Sequence, residues 1–543
     1  MYEGRASRFR PVGLLVWCAV LASSLFALWF WLSTASQPLV DQYEFRQTQT
    51  ALTAFHLFRN GNGLLNYETP VLGKPWSIPF EFPTFQLAAY SLQKISALDL
   101  TSAGRLTSIG FALACLAISI AILRQFSISR IGIVVFALLY LSSPIYLYWS
   151  RTFMIESTAL LFSLAALYLY WASRRQDDWR GRKSLSILTA LLICLTMALL
   201  TKATTALPVF LLILIDQAYV MGAATLRRTH SVDRHRILPR GGMVLTILLL
   251  SFLVLKGWTT HADALKELNP IARFLTSQRL ASWNFGDFHQ RHSGDLWIGV
   301  FSQRMLTPNG SIPIAILLTL GIIRPHPSSQ SRYLLLCCMG LALAPLLIFT
   351  NLHIVHTYYQ YANEIYLLLA IAVASDALSG SGRRSWNLLL GICLTLIIIS
   401  FYGTFFGSYY RDAQLKDNAA SVAGRYIRNI TNPAEAILVF GDDWNSAMAF
   451  HSQRRALTYP NWAASDDGIK KDDLLANPAD FIGPLKLGAI ASRWKKIPAE
   501  KVLMACGGAA SPNPHAEGDW LIYSCRSGTA AGALQDASSE AKP

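Results

Sequence analysis

The sequence begins with three arginines followed by a long apolar stretch, RASRFRPVGLLVWCAVLASSLFALWFWL, residues 5–32. The apolar run 12–32 is long enough to cross a hydrocarbon core about 30 Å thick. No convincing small-residue cleavage site follows the run, so we predict an uncleaved signal anchor. The basic end of this anchor is expected in the cytoplasm, and it carries Arg5, Arg8 and Arg10.

The composition of the whole chain also indicates a membrane environment. Of 543 residues, 53% are hydrophobic and 15% are charged, whereas soluble domains average roughly 45–50% and about 25%. The net charge of +15 suits nucleic-acid binding in principle, but the basic residues form short clusters between apolar runs, as in membrane proteins. We therefore predict a membrane protein with no nucleic-acid partner.

Further apolar runs make this a predicted polytopic, mostly α protein with about eleven transmembrane helices. The runs lie near 103–123, 131–149, 155–172, 185–201, 206–221, 242–258, 311–323, 332–350, 364–378 and 386–407. Every second loop is rich in arginine, which is the positive-inside pattern. The cytoplasmic loops are those with Arg124 and Arg130, residues 174–183, residues 227–240, Arg324 and Arg332, and Arg383 and Arg384. The C-terminus is then expected outside.

Three outward segments are long enough to carry function: 36–101, 259–310 and 408–543. In the first, the stretch from Glu44 to Phe58 predicts an amphipathic helix at the membrane surface. A proline-rich connection leads from it to a second short helix, Thr84 to Ile95. We assign residues 1–407 to a transmembrane domain that includes this first outer loop.

The tail, 408–543, is predicted to be a small α/β domain outside the membrane. Apolar runs at 436–440, 487–491, 502–505 and 520–523 are spaced like α/β units, and a polar turn follows the first of them, Gly441-Asp442-Asp443-Trp444-Asn445. This turn is a candidate for acceptor binding, although such turns are more often structural. Cys506 and Cys525 are either a periplasmic disulfide or two buried thiols.

Ionisable side chains at the outer helix ends are the candidate functional residues, because charge there is costly and usually kept for function. They are Asp41, Glu44 and Arg46 at the first surface helix, Arg151 and Glu156 between the third and fourth spans, Lys202 after the fifth, and His353, His356, Tyr358 and Tyr359 between the ninth and tenth. Basic side chains would hold a lipid phosphate and stabilise its charge as it leaves. A carboxylate would take the proton of an attacking hydroxyl. Together these groups describe glycosyl transfer from a lipid-phosphate sugar.

By the order and predicted sidedness of these motifs, the first 410 residues or so resemble the GT-C integral-membrane glycosyltransferases. Within that family, the chain resembles the branch that holds the lipid A aminoarabinose transferases and the protein O-mannosyltransferases. The shared features are an acidic first outer loop, Arg151 with Glu156, and Lys202 in LTKATTALP. The resemblance implies a polyprenyl-phosphate-linked sugar donor, an inverting mechanism and no nucleotide sugar.

Two motifs depart from the better-known members of that family. Those members carry adjacent acids where this chain has Asp41-Gln42-Tyr43-Glu44, and lipid A transferases have Lys-Pro-Pro where it has Lys74-Pro75-Trp76. We favour Glu44 as the base and keep Asp41 as the second candidate. The expected donor-phosphate ligands are Arg46, Lys74, Arg151 and Lys202, and the expected substrate-binding residues are Glu156, His356 and Tyr358. No metal or cofactor is expected.

Structural roles are the alternative for each of these residues: helix capping for the two acids, snorkelling for Arg46, and an ion pair for Arg151 with Glu156. Lys202 has the alternative role of an interfacial anchor, and His356 and Tyr358 that of interfacial packing.

The function predicted from these observations is a glycosyltransferase of the inner membrane that acts on its outer side. Its partners would be a polyprenyl-phosphate sugar, a lipid, polysaccharide or protein acceptor, and membrane lipids. The alternative is a transporter or flippase of lipid-linked sugars, but we find no internal repeat, and the charges lie at outer helix ends instead of the midplane. A non-catalytic assembly or binding protein would not need about eleven spans.

Cysteine labelling tests the predicted topology. Membrane-impermeant reagents should reach positions 60, 285 and 450 only from outside, and residues 174–183 and 227–240 only from inside, because the arginine-rich loops are retained in the cytoplasm. Labelling of an Asp443→Cys variant only from the cytoplasmic side would contradict the sidedness on which the predicted site depends.

Overall fold

The computed structural model describes residues 11–59, 61, 63–176, 178, 180–226, 231–324, 326, 328–380, 383–465, 468–511 and 513–526. The arginines at positions 5, 8, 10, 227 and 228 lie outside the described residues. The chain divides into two compact units. The first comprises Met1–Ala35, Ser108–Leu255 and Ser282–Ala413, and the second comprises Ser36–Thr107, Lys256–Ala281 and Gln414–Pro543.

The first unit is helical, and each apolar run predicted within it lies on a helix. Two of its helices, Leu100–Gln125 and Ser231–Glu267, also contribute residues to the second unit. The other α-helices are Pro11–Ser33, Arg130–Ser142, Pro144–Trp149, Glu156–Ser173, Arg182–Leu226, Ala281–Phe285, Phe288–His292, Ser311–Ile323, Ser329–Ile348, Thr350–Val355, Gln360–Ser379 and Arg384–Thr404. Asp295–Leu306 and Phe405–Tyr409 are π-helices, and Thr357–Tyr359 and Asp412–Gln414 are 3₁₀ turns.

Within the described ranges, six helices are long and apolar enough to cross a membrane, or seven if the bent pair Asp295–Leu306 and Ser311–Ile323 counts as one span. The predicted run 131–149 is divided before Pro144, whose ring and missing N–H disfavour continuing the preceding helix. Runs 185–201 and 206–221 lie on one helix that is interrupted at Lys202. A multi-pass membrane protein is therefore supported, while the count of eleven and the sidedness stay predictions.

The second unit contains a five-stranded sheet built by the tail. Its strands are β1 (Ala436–Phe440), β2 (Arg455–Thr458), β3 (Leu487–Arg493), β4 (His515–Glu517) and β5 (Trp520–Ser524), in the order β2-β1-β3-β5-β4. β1 is parallel to both of its neighbours, whereas β5 is antiparallel to β3 and β4. Every residue of β1, AILVF, is buried, as expected for a strand covered on both faces.

Helices surround this sheet, so the prediction of a mixed α and β tail is confirmed. Three of the four predicted apolar runs lie on strands, β1, β3 and β5, whereas the run 502–505 lies on a helix. A run of four residues is too short to distinguish the two structures by periodicity. The helices are Glu44–His56, Thr84–Ile95, Ala419–Ile430, Ala447–Ser452, Lys471–Ala476, Pro478–Ile482 and Ala499–Ala505, with a 3₁₀ turn at Ala272–Leu275.

The first outer loop pairs with the edge of the tail's sheet. The backbone N–H of Ala456 donates to the oxygen of Pro70 at 3.1 Å, and that of Thr458 donates to Val71 at 2.9 Å. Leu72 of the same segment belongs to the hydrophobic core that contains β1. The core of the tail therefore includes residues of the first loop, which also covers the otherwise open edge of β2.

The helix Glu44–His56 has the predicted position but not the predicted environment. Nine of its residues are buried, and six of these are polar. Buried hydroxyls find partners: Thr48 Oγ1 lies 2.8 Å from Ser446 Oγ, and Thr53 Oγ1 lies 2.8 Å from Thr69 Oγ1. The expectation of a surface helix with a polar face in water is wrong, because these hydrogen bonds allow threonine and glutamine to be buried.

Cys506 and Cys525 form a disulfide with 5.0 Å between their Cα atoms. The bridge joins the end of the helix Ala499–Ala505 to the end of β5. Of the two alternatives that the sequence left open, the bridged one is therefore observed.

Replacing Gly73 with alanine tests how closely the first loop is held against the tail. Gly73 has a φ of +87°, and an added Cβ would lie 2.6 Å from the carbonyl oxygen of Phe481. A left-handed backbone costs a residue with a Cβ about 1–2 kcal/mol, and crowding adds about 1–3 kcal/mol. We expect Gly73→Ala to lower the midpoint of thermal unfolding more than Gly61→Ala, which shares a positive φ (+74°) but has open space around it. Equal shifts for the two variants would contradict this close contact.

Candidate active site

Asp41 is held by a fully buried ion pair in the second unit. Its Oδ1 lies 3.3 Å from a terminal nitrogen of Arg105, and neither side chain has solvent exposure. Gln47 Nε2 donates to the same oxygen at 2.6 Å. Arg105 also donates to the backbone oxygens of Gln37 and Pro38, at 3.0 and 3.1 Å. The pair thus fixes the chain that leads into the helix Glu44–His56.

Glu44 begins that helix directly after Tyr43, whose backbone is left-handed (φ 54°). Its Oε1 lies 3.2 Å from His451 Nε2, and its Oε2 accepts from Asn418 Nδ2 at 2.7 Å. The Glu44 side chain is 17% exposed, in contrast to Asp41. The structure therefore gives Glu44 two side-chain partners from the tail and leaves its side chain partly exposed.

Asp442, two residues after the end of β1 in the same unit, is a carboxylate with a shifted pKa. Burial raises the pKa of Asp442 to about 6, opposed by the neighbouring Arg493 and reinforced by the negative charge of Glu44. Arg493 donates to Asp442 Oδ1 at 2.8 Å and to Asp519 Oδ2 at 2.7 Å. The predicted polar turn therefore places an ionisable group within the electrostatic reach of Glu44.

The rest of the polar turn has mainly structural contacts. Asp443 accepts a hydrogen bond from the backbone of Asn461 at 2.7 Å, and burial raises its pKa. The Trp444 ring packs edge-on against Phe45 with 4.8 Å between centroids. The role of the turn in acceptor binding stays a prediction.

Two of the predicted donor-phosphate ligands, Arg46 and Lys74, lie in this unit and have different surroundings. Arg46 is half-buried, donates to Gln49 Oε1 at 2.8 Å and lies over the Phe45 ring. Lys74 is exposed, and its backbone N–H donates to the oxygen of Phe481 at 2.8 Å. Arg46 thus lies on the same helix turn as Glu44, whereas the structure anchors Lys74 to the tail through its backbone.

Lys202 lies at the centre of a cluster in the first unit, which we call the lysine cluster: Glu156, Lys202, Tyr358 and Tyr359. Lys202 interrupts the helix Arg182–Leu226, with φ −160° and ψ 94°. Its Nζ donates to Glu156 Oε1 at 2.6 Å and lies 4.0 Å and 5.0 Å from the ring centroids of Tyr359 and Tyr358. The Lys202 side chain is only 10% exposed. The structure thus surrounds one ammonium group with a carboxylate and two aromatic faces.

The predicted aromatic and imidazole residues extend this cluster. The His356 ring lies 5.4 Å from that of Tyr358 and 5.8 Å from that of Tyr359. His353 is buried, and its Nδ1 lies 3.2 Å from Gln360 Nε2. Three predicted substrate-binding residues, Glu156, His356 and Tyr358, therefore lie around Lys202.

Arg151 is completely buried in the first unit. Its guanidinium carbon lies 4.7 Å from the ring centroid of Tyr148 and 5.4 Å from that of Phe30. The sequence suggested Glu156 as a structural partner of Arg151, but the observed lysine cluster gives Glu156 an ammonium partner instead.

Sequence reasoning missed four side chains that hold the acids in place: Arg105, Asn418, His451 and Arg493. Only Arg105 carried a usable signal, because it is an arginine inside a predicted apolar span, where ionisable residues are rare. The other three occupy ordinary positions in the tail, and their proximity to Glu44 and Asp442 depends on the tertiary fold.

Comparison with known proteins gives a consistent result. A family model described as dolichyl-phosphate-mannose-protein mannosyltransferase matches residues 80–260. No curated protein sequence matches the chain significantly. Among solved structures, ArnT from Cupriavidus metallidurans bound to undecaprenyl phosphate is 12% identical with a TM-score of 0.61, covering 94% of this chain and 99% of ArnT.

The oligosaccharyltransferase of Archaeoglobus fulgidus in its apo form is also similar in structure. It is 12% identical with a TM-score of 0.55, and the match covers 93% of this chain and 72% of the oligosaccharyltransferase. At 12% sequence identity, the similarity to these two structures establishes the fold. The resemblance to GT-C membrane glycosyltransferases predicted from the sequence is confirmed.

Proposed function

We propose that this protein is a glycosyltransferase that moves a sugar from a polyprenyl-phosphate-linked donor to a hydroxyl group, with inversion at the sugar carbon. The acceptor is a lipid, a polysaccharide or a protein. The observation that carries the proposal is the lysine cluster, which holds a buried ammonium group at a break in a membrane helix. The fold shared with ArnT and an oligosaccharyltransferase supports the same reaction class.

The interrupted helix points to function because a non-helical residue inside a long helix forfeits regular backbone hydrogen bonds. An ammonium group has three N–H donors, and Glu156 accepts one from Lys202. In the proposed role, the other donors of Lys202 bind the donor phosphate. Their charge stabilises the phosphate as it leaves. Arg151 and Arg46 are proposed as further phosphate ligands and Lys74 as a weaker one, while His356 and Tyr358 contact the substrate.

Glu44 is the proposed general base. Its side chain is partly exposed, whereas that of Asp41 is fully buried against Arg105. In the proposed step, the acceptor oxygen bonds to the anomeric carbon, the bond from that carbon to the phosphate oxygen breaks, and Glu44 takes the acceptor proton. The products are the glycoside and polyprenyl phosphate.

We further propose that the reaction takes place on the outer side of the inner membrane, with the tail 408–543 in the periplasm and residues 1–407 as the membrane domain. This placement rests on the alternating arginine loops. A purified sample that releases polyprenyl phosphate from undecaprenyl-phosphate sugars only when an acceptor is added would support transfer. Movement of the intact lipid without release would support the flippase alternative.

Removing positive charge tests the phosphate ligands. Arg46→Ala, Arg151→Ala and Lys202→Ala should each raise the donor KM or reduce kcat/KM by about ten- to a hundredfold, because a charge-assisted contact contributes about 1.5–3 kcal/mol. The exposed Lys256→Ala is the matched control. Since Lys202→Ala leaves Glu156 buried without its ammonium, a Glu156→Gln/Lys202→Met variant checks that a lost activity is not lost folding. Unchanged donor kinetics in all three alanine variants would contradict the assignment.

Neutral isosteres of the two acids test the base. Glu44→Gln should lower turnover by roughly 10²–10⁴-fold while sparing donor binding, because its shape and its contact with Asn418 are nearly preserved. Asp41→Asn should have a smaller effect on turnover, and the exposed Glu500→Gln should have none. If Asp41→Asn lowers turnover more than Glu44→Gln does, Asp41 is the base and Glu44 is not. Full activity in both variants would remove the first loop from the mechanism.

A further inference from the structure

The proposed function does not use a cleft at the arginine-rich end of the first unit. The cleft has a volume of about 550 Å³ and lies between the ends of the helices Leu100–Gln125 and Glu156–Ser173 and the start of Arg182–Leu226. Three cations line it, Arg124, Arg175 and Lys183, and none of its described lining residues is acidic. The cleft therefore presents concentrated positive charge to a ligand.

These three cations are available to a ligand. All are exposed. Among the described residues, the polar and ring contacts of Arg175 are with neutral groups, Gln330 Oε1 at 3.4 Å and the face of Phe126. In the part of the chain that the structure describes, Arg124 and Lys183 form no ion pair with a carboxylate.

Two negative groups near the cleft, a helix C-terminus and the Asp216 carboxylate, already have arginine partners. Arg240 donates to the backbone oxygen of Arg174 at 3.1 Å and to that of Ser173 at 3.4 Å, where the helix Glu156–Ser173 ends. Arg174 itself pairs with the carboxylate of Asp216. The carbonyl groups of that helix end and the Asp216 carboxylate thus have cationic partners outside the cleft, which leaves the cleft cations for an external anion.

The walls of the cleft change from apolar to cationic along two of the helices, where Ile187 shares a face with Lys183 and Ala117 shares a face with Arg124. On the third wall, Ala172 lies on the last turn of the helix Glu156–Ser173, and Arg175 follows two residues after that helix ends. Seven helical residues span about 10 Å. An apolar wall of this length that ends in a cationic rim matches an acyl chain followed by a phosphate.

Gln125 indicates that the ligand carries a hydrogen-bond donor. It lines the cleft, and its Oε1 is buried with no hydrogen-bond partner among the described residues. Such an atom is costly to leave unsatisfied. A hydroxyl group on the ligand would donate to it, whereas a choline head group has no hydroxyl or N–H to donate.

We propose that this cleft binds an anionic phospholipid with a hydroxyl-bearing head group, of the phosphatidylglycerol class. Its phosphate is bound by Arg124, Arg175 and Lys183, its glycerol hydroxyl donates to Gln125, and its acyl chain lies along the apolar wall.

Binding of short-chain phosphatidylglycerol to the full chain in detergent tests the site, measured by calorimetry and by native mass spectrometry. The Arg124→Gln/Lys183→Gln variant should weaken binding at least about tenfold, since two charge-assisted contacts are lost. The Arg130→Gln/Arg332→Gln variant removes the same charge from exposed residues outside the cleft lining, and its affinity should be unchanged. Equal weakening in both variants would show a non-specific charge effect and overturn the proposal.

Ligand comparisons identify which part of the lipid is recognised. Phosphatidylcholine of the same chain length should bind much more weakly, and inorganic phosphate at the same concentration should not displace phosphatidylglycerol. Gln125→Leu should remove the preference for phosphatidylglycerol over phosphatidylmethanol, which lacks the hydroxyl. Displacement by inorganic phosphate would show a simple anion site, and an unchanged preference in Gln125→Leu would overturn the hydroxyl contact.

Discussion

The second unit depends on the buried ion pair between Asp41 and Arg105. A charge without solvent or a partner is strongly destabilising, and here each side chain supplies the other's counter-charge with no exposure to water. Because Arg105 also binds the backbone oxygens of Gln37 and Pro38, the pair fixes the path of the chain into the helix Glu44–His56. The position of Glu44 therefore depends on a contact in which Glu44 takes no part.

The need of a buried charge for a partner also explains the lysine cluster of the first unit. Lys202 is kept in a poorly solvated environment by one carboxylate and two aromatic faces, which together compensate for its lost hydration. The helix gives up its regular backbone at this residue. Both units thus retain ionisable groups in buried positions and supply each with specific partners.

The polar helix Glu44–His56 shows how function and packing combine. Its threonines and glutamines are buried, so it cannot be stabilised by an apolar face alone, and its hydroxyls bond to Ser446 of the tail and to Thr69 of the first loop. This arrangement couples the segment that carries the two acids to the sheet. By contrast, the exposed cations Arg124, Arg175 and Lys183 line an open cleft, and their proposed partner is an external ligand.

The sequence alone determined the elements whose signals are local. Apolar runs predicted the membrane helices, the all-apolar AILVF predicted the buried strand β1, and Thr84–Ile95 has the predicted ends. It also identified Glu156, Lys202, His356 and Tyr358, which the structure brings together. The tertiary structure alone decided the partners of the acids: Glu44 meets His451 and Asn418, 407 and 374 residues away. It also decided that a polar helix is buried. Hydropathy and periodicity report only near neighbours along the chain, whereas the cost of burying a polar group depends on partners that folding brings from distant segments.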